Sequence, residues 1–327
     1  MTSREIVKRT VLFQGATRFP YALTPECGTD IHGVGMTPSP DARPKSGVDE
    51  WGAVWENIGV SNLGQVKEPP LKEWKDFGKL NVPDARDPRR FATLSEQVKA
   101  GGDKFILGNG VSLYERIHFV RGLENAWMDI YDAEDDLKKL INILVEMNLA
   151  IIPRYAAAGV NGYHWCDDWG LQDRLMISPA KWRELWKPAY ARVYRAAHDA
   201  GMLTFLHSCG HITSILDDLI DAGLDVIQMD QQENMTLEIL SQHYRGRITF
   251  WNPVDIQQTM AHGTMDEIRD YARRMVRLLG TPKGGFIAKW YQDVNGAGHR
   301  PEAVKTMCGE FMKLSRENIT REEPVMA

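Results

Sequence analysis

Nowhere in the 327 residues do the eighteen or so apolar side chains needed for a membrane-spanning helix run together. The opening run Met1–Arg9 carries charges where a secretory leader needs an apolar core. Long basic runs are missing too, and 39 Lys and Arg against 44 Asp and Glu leave a formal charge of −5. Neither a membrane nor nucleic acid is expected as a partner. Only four cysteines occur, Cys27, Cys166, Cys209 and Cys308, at irregular spacing. They form no disulfide framework and read as reduced thiols of a cytoplasmic protein. No glycine-rich phosphate fingerprint, internal repeat or low-complexity segment is found. What remains is ordinary for a globular chain, with 43% hydrophobic and 25% charged residues. Ten Trp and ten Tyr are a generous supply of rings, suited to a core or to a pocket for a flat apolar ligand.

Strand and helix signals alternate along most of the chain. A helix is expected over Ile6–Phe13 and a strand over Arg18–Leu23, followed by a long irregular loop, Thr24–Gly47, carrying Glu26, Cys27, Asp30 and His32 as candidate ligand contacts. Strands are expected at Lys104–Leu107, Val160–Cys166, Leu203–Leu206, Val226–Met229, Ile248–Trp251 and Gly285–Ala288. Helices are expected over Pro88–Ala100, Ser112–Arg121, Ala133–Ala158, Pro179–Ala200, Ser214–Ala222, Thr236–His243, Thr264–Leu279 and Pro301–Arg316, with Glu124–Tyr131 as an apolar turn. Serial βα units without a phosphate fingerprint predict one α/β domain, a TIM (β/α)8 barrel with an irregular N-terminal extension: residues 1–85 give a strand and long loops, 86–327 the main barrel repeat.

The stretch Leu203-Thr-Phe-Leu-His-Ser-Cys-Gly-His-Ile212 concentrates the chemistry. A buried strand ends in His207 and Cys209, spaced so that both face one side of an extended chain. Imidazole and thiolate together suit zinc. A parallel barrel opens all strand carboxyl ends onto one face, and polar or aromatic residues stand at each of those ends. The candidate metal ligands are His207, Cys209 and Cys166, with Asp168 and Cys27 as the next choices for the third. Asp168, Asp167, His207 and Tyr291 are the candidate acid–base or orienting groups. Adjacent carboxylates face opposite ways on a strand, so Asp168 is expected to face the barrel mouth and Asp167 to serve as a supporting or capping group. Candidate substrate contacts are Asn109, Trp165, Trp169, Trp251, Asn252 and Trp290. His211 leaves the strand alternation and is expected to start a helix, and Cys308 to pack in one.

The chain resembles the uroporphyrinogen decarboxylase superfamily from about residue 85 to 316. The matching stretches are Arg121-Gly-Leu-Glu-Asn-Ala-Trp-Met-Asp-Ile-Tyr131, Asp167-Asp-Trp-Gly170, Ile177-Ser-Pro179, Leu206-His-Ser-Cys-Gly210, Leu216–Asp225 and Gly284-Gly-Phe-Ile287. The resemblance implies a TIM barrel, commonly a homodimer. It also implies either decarboxylation of a tetrapyrrole or methyl transfer serving a corrinoid protein, the methyltransferases holding zinc through His-x-Cys. Two departures stand out. The decarboxylases carry paired arginines near the N-terminus, where this chain has only Arg18. The methyltransferases carry a further Cys after the last strand, where this chain has Ala288-Lys-Trp-Tyr-Gln-Asp293. The expected function is therefore a zinc-assisted methyltransferase moving a methyl group between a small methylated compound, a methoxylated aromatic being one candidate, and a corrinoid protein. The alternatives are a metal-independent decarboxylase and a non-catalytic barrel that binds a corrinoid or porphyrin.

Overall fold

A computed structural model describes residues 1–57, 59 and 64–317. The chain enters through helix α1 (Ser3–Val11), strands β1 (Tyr21–Ala22) and β2 (Ile31–Val34), and an antiparallel sheet of β3 (Gly47–Val48), β4 (Val54–Asn57) and β5 (Gly64–Glu68). Helix α2 (Leu94–Ala100) leads to β6 (Phe105–Asn109), then α3 (Glu115–Arg121), α4 (Leu123–Asp132), α5 (Glu134–Ala158) and β7 (Gly162–Cys166). Helices α6 (Pro179–Leu185) and α7 (Lys187–Asp199) precede β8 (Leu203–His207), and α8 (Thr213–Ala222) precedes β9 (Val226–Gln228). The last units are α9 (Leu237–Tyr244), β10 (Thr249–Asn252), α10 (Thr259–His262), α11 (Met265–Leu279), β11 (Phe286–Lys289) and α12 (Pro301–Glu317).

Eight of the strands lie parallel in the order β1-β11-β10-β9-β8-β7-β6-β2, the expected TIM barrel. At the seam, the Asp30 amide donates to the Tyr21 carbonyl (2.8 Å) while the Asp30 carboxylate accepts the Tyr21 amide (2.9 Å). Arg18 clamps that carboxylate with two nitrogens, at 2.6 and 2.8 Å. Both residues stand at the amino ends of their strands, so Arg18 closes the foot of the barrel.

Alternation along the strands separates two apolar regions. Ile31, Phe105, Leu107, Phe205, Val226 and Ile287 point inward and pack with Val7 and Val11 of α1, which plugs the foot. Outward-facing residues such as Ile106, Tyr163, Leu206, Ile227 and Phe250 join the larger layer beneath the helices. Helix α5 is the one helix among the described residues long and apolar enough to cross a membrane. Its Leu137, Leu140, Leu144 and Ile151 are instead buried in this layer.

Three expectations are corrected. The eighth strand, β2, lies inside the segment expected to be loop: four residues containing Gly33 are too short for visible alternation. Glu124–Tyr131 is helical, as α4, one face buried through Ala126, Asp129 and Ile130. Pro179–Ala200 is two helices, broken at Trp186 because Pro188 cannot donate the N–H that a continuous helix requires.

The N-terminal extension is held by buried ion pairs. Arg116, wholly buried, donates to Asp41 (3.0 and 3.1 Å) and Asp49 (2.8 Å). Arg121 clamps Asp129 at 2.7 and 3.0 Å, donates to the carbonyls of Leu71 and Lys72, and lies under the Trp74 ring. The Arg121–Tyr131 stretch is thus a latch for the extension.

Candidate functional site

Strand alternation places the side chains of Cys166, His207, Gln228 and Trp251 at one level of the barrel interior, as consecutive partners across β7, β8, β9 and β10. Asn109 and His164, partners one step lower, share a hydrogen bond of 3.3 Å. Past the strand ends, the loops after β7 and β8 remain zipped. The amide of Asp167 donates to the His207 carbonyl (2.9 Å), that of Gly170 to Cys209 (3.1 Å) and that of His211 to Leu171 (2.7 Å). This approach requires glycine on both sides. A Cβ on Gly170 would come within 2.2 Å of the His211 nitrogen, and one on Gly210, where φ is +78°, within 2.1 Å of the Gly170 carbonyl oxygen. The zipped loops bring Asp168 Oδ1 to 2.7 Å from the Cys209 amide.

His207 Nε2 lies 3.3 Å from Asp168 Oδ1 and 3.4 Å from Cys209 Sγ. One donor atom from each of the three residues falls within 4.8 Å of the others. A nitrogen, a sulfur and a carboxylate oxygen converging at this spacing are a donor set that zinc accepts. The other face of the imidazole is tied down: Nδ1 pairs with Gln228 Oε1, Gln228 Nε2 donates to Asp230 Oδ1 (2.8 Å), and Lys289 Nζ donates to the same oxygen (2.6 Å).

Electrostatics follow from burial and this pairing. Burial opposes a charge on His207, but Cys209 and the Asp168 carboxylate outweigh it and hold its pKa well above the usual value. Burial likewise opposes charge on Asp168, yet His207 and the Cys209 amide keep its carboxyl below the usual range. Desolvation inside the barrel, with the nearby cations His207, Lys289 and Arg43 adding to it, pushes His164 down to about 3. Burial pushes the Cys166 thiol up to about 11.

From His207 down into the barrel interior extends a cavity of about 1040 Å³ whose walls include Leu23, Leu107, Asn109, His164, Cys166, His207, Gln228, Asp230, Trp251, Lys289, Trp290 and Tyr291. Of the expected substrate contacts, Asn109, Trp251 and Trp290 line it, as does Tyr291. Three others do not. Trp165 and Trp169 are buried in the layer under the helices, Trp165 against Tyr194 and Trp169 stacked on Tyr114 at 3.6 Å. Trp165 follows the outward phase of β7, and Trp169 follows the turn of the chain back toward α6. Asn252 is outward as well, its amide donating to Gln232 (3.2 Å). Cys166 lines the cavity but is not part of the triad, and Asp168 takes the third position. Asp167 supports from behind: its carboxylate accepts the amides of Leu113, Tyr114 and Glu115, where α3 begins, together with Trp165 Nε1 and the Tyr190 hydroxyl. Burial raises its pKa to about 6, with those donors opposing the rise.

In the N-terminal loop, Asp30 serves the seam, His32 faces outward to the Gln97 carbonyl (3.1 Å), and Cys27 packs against the core that contains Cys308. His211 stands just ahead of α8, as expected. Sequence reasoning missed Gln228 as a site residue, although the Val226-x-Gln228-x-Asp230 alternation already turned it inward. It also missed Arg43 and Glu115, paired at 3.1 Å in the N-terminal extension and α3. Burial raises Glu115 to about 8, Arg43 opposing and Asp168 adding to the rise.

The family model for uroporphyrinogen decarboxylase (URO-D) matches residues 61–308. Among solved structures, a methyltransferase from Methanosarcina mazei superposes with a TM-score of 0.70 at 16% identity, covering 96% of this chain and 99% of its own. A D-psicose 3-epimerase superposes at 0.44 and 10% identity, over 90% and 91%. A 3-keto-D-glucoside 4-epimerase from E. coli does so at 0.43 and 12%, over 76% and 96%. The first of these likenesses shows the barrel fold and nothing finer. A search of curated proteins returns no significant match.

Proposed function

Because the chain belongs to the uroporphyrinogen decarboxylase family, we propose that it is a cytoplasmic methyltransferase of that family. Its reaction moves a methyl group from a small methoxylated aromatic to or from a corrinoid protein, an O-demethylation when that compound is the donor. The observation that carries this reading is the His207–Cys209–Asp168 triad at the edge of an aromatic-walled cavity.

The donor set fits zinc, with His207 Nε2, Cys209 Sγ and an Asp168 oxygen as the holding atoms. Bound there, zinc supplies Lewis acidity toward the oxygen or sulfur that gives or takes the methyl group. The chain's own residues do the rest. Trp251, Trp290 and Tyr291 give the cavity the flat apolar walls that a methoxylated ring would lie against. Asp168, fixed by the Cys209 amide, holds a carboxylate oxygen toward the triad, and Asp167 anchors the loop behind it. Lys289 is committed to Asp230 inside the cavity.

A tetrapyrrole decarboxylase is less well supported. A substrate with many carboxylates needs several free cations, yet Arg18 is paired with Asp30 and Lys289 with Asp230. The test is anaerobic incubation of zinc-loaded protein with cob(I)alamin and a panel of methoxylated aromatics, following loss of the cob(I)alamin absorbance. Methylcobalamin formed by wild type but not by Cys209→Ser supports the reading. Carbon dioxide release from a carboxylated substrate, unaffected by Cys209→Ser, would replace it with decarboxylation.

A further inference from the structure

The metal-facing reading of His207 leaves its other nitrogen unexplained, and that side of the ring holds a continuous chain of polar contacts. His207 and Gln228 are direct partners across β8 and β9, both turned inward. Asp230 follows two residues later, and Lys289 ends β11. The direction of every bond can be read from the lysine. An ammonium only donates, so Asp230 Oδ1, 2.6 Å from Lys289 Nζ, accepts. The Gln228 group 2.8 Å from the same oxygen is then the amide NH2. That orientation leaves Gln228 Oε1, an acceptor, against His207 Nδ1, so Nδ1 carries a hydrogen. In a neutral imidazole the lone pair must then sit on Nε2, the atom facing Asp168 and Cys209.

We propose that Gln228 is a positioning residue for His207, the last member of a Lys289–Asp230–Gln228 relay that keeps hydrogen on Nδ1 and presents Nε2 to the metal. The inference rests on the zinc reading for its purpose, although the relay itself is a property of the metal-free chain. Asp230 and Gln228 are buried, where hydrogen bonds are stronger and poorly aligned alternatives cost more. Trp251 is the partner of Gln228 on the other side, and both line the cavity. A histidine ligand whose distant nitrogen is held this way loses less freedom on binding a metal, and partners of this kind matter to metal affinity by roughly 10–100-fold.

The test uses the full chain, metal-free and titrated with zinc. In the metal-free wild type, 15N-edited NMR with labelled histidine should show a slowly exchanging, downfield Nδ1–H proton of His207, absent in Gln228→Leu. Competition with a chelator should show zinc held roughly 10–100-fold more weakly by Gln228→Leu. Lys289→Met, which leaves Gln228 in place but removes its orienting cation, should weaken zinc in the same direction and keeps the test alive should Gln228→Leu fail to fold. Absence of the Nδ1–H signal from wild type overturns the proposal, and so does unchanged zinc affinity in a folded Gln228→Leu or, failing that, in Lys289→Met. Should the signal be present and vanish in Gln228→Leu while wild type binds no zinc, the relay stands and the zinc reading falls.

Discussion

Asp168 and Cys209 stand 41 residues apart and are joined by one hydrogen bond, the Cys209 amide donating to Asp168 Oδ1 at 2.7 Å. Through it, the loops after β7 and β8 act as one unit, and a carboxylate comes to lie beside an imidazole and a thiol. Asp168→Asn should therefore lower zinc content sharply and abolish turnover while leaving the melting temperature within a few degrees. Asp167→Asn should behave differently, because the Asp167 carboxylate accepts buried amides at the start of α3 and touches no side chain of the triad: the loss should appear in stability, read by chemical denaturation. Zinc content unchanged in Asp168→Asn would assign the third ligand elsewhere, with Cys166 the next to test.

Metal uptake should depend on pH in a definite direction. His207 is held above its usual pKa by Cys209 and Asp168 against the opposing effect of burial, so at neutral pH a proton occupies the nitrogen that a metal would use. Raising the pH removes that competitor. Zinc affinity measured against a chelator should rise between pH 6.5 and 8.5 by about tenfold per pH unit for each proton displaced. A flat profile would show that His207 is not a ligand.

The backbone approach of Gly170 and Gly210 predicts a site that fails by displacement. Gly170→Ala places a methyl group against the His211 nitrogen, which neither loop can yield without losing the Gly170–Cys209 and His211–Leu171 bonds. Zinc binding and turnover should fall together, by far more than global stability. A control at Gly159, where no atom lies within 4 Å of the added Cβ, should cost only the strain of a positive φ and leave zinc binding intact.

Arg116 is a stability residue. Replacing this buried guanidinium by Ala leaves Asp49 without its cation and Asp41 with only Arg43, at 3.4 Å, a loss of about 3–5 kcal/mol. Because Trp55 Nε1 also donates to Asp49 (3.0 Å), the change should be visible as altered tryptophan fluorescence along with an earlier denaturation midpoint.

His198 makes a separate pH test. Its Nε2 lies 2.8 Å from Asp225 Oδ2, and that hydrogen bond raises its pKa against partial burial. A histidine whose folded pKa is raised contributes stability in full below its unfolded pKa, near 6.5, and loses it as pH rises through the folded value. Wild type should exceed His198→Gln in urea midpoint at pH 5.5, and the gap should close by pH 9. An equal gap at both values would mean that charge contributes nothing.

Sequence alone determined the barrel because strand and helix periods are local. Seven of the eight barrel strands, the inward side of His207 and the opposite directions of the Asp168 and Asp167 side chains all follow from counting residues along single segments. The eighth strand escaped because β2 has four residues and borrows its regularity from β6 beside it. Other features were decided only by tertiary contact. Whether Cys166 or Asp168 completes the triad depends on two loops zipping through Gly170 and Gly210, an approach of residues 40 positions apart that no local pattern encodes. The outward placement of Trp165 and Asn252 was not legible because a strand end is polar or aromatic on both faces, and only the packed helices show which face is core. The relay behind His207 joins β8, β9 and β11, three segments spread over more than 80 residues. Closing the barrel is what makes those residues neighbours.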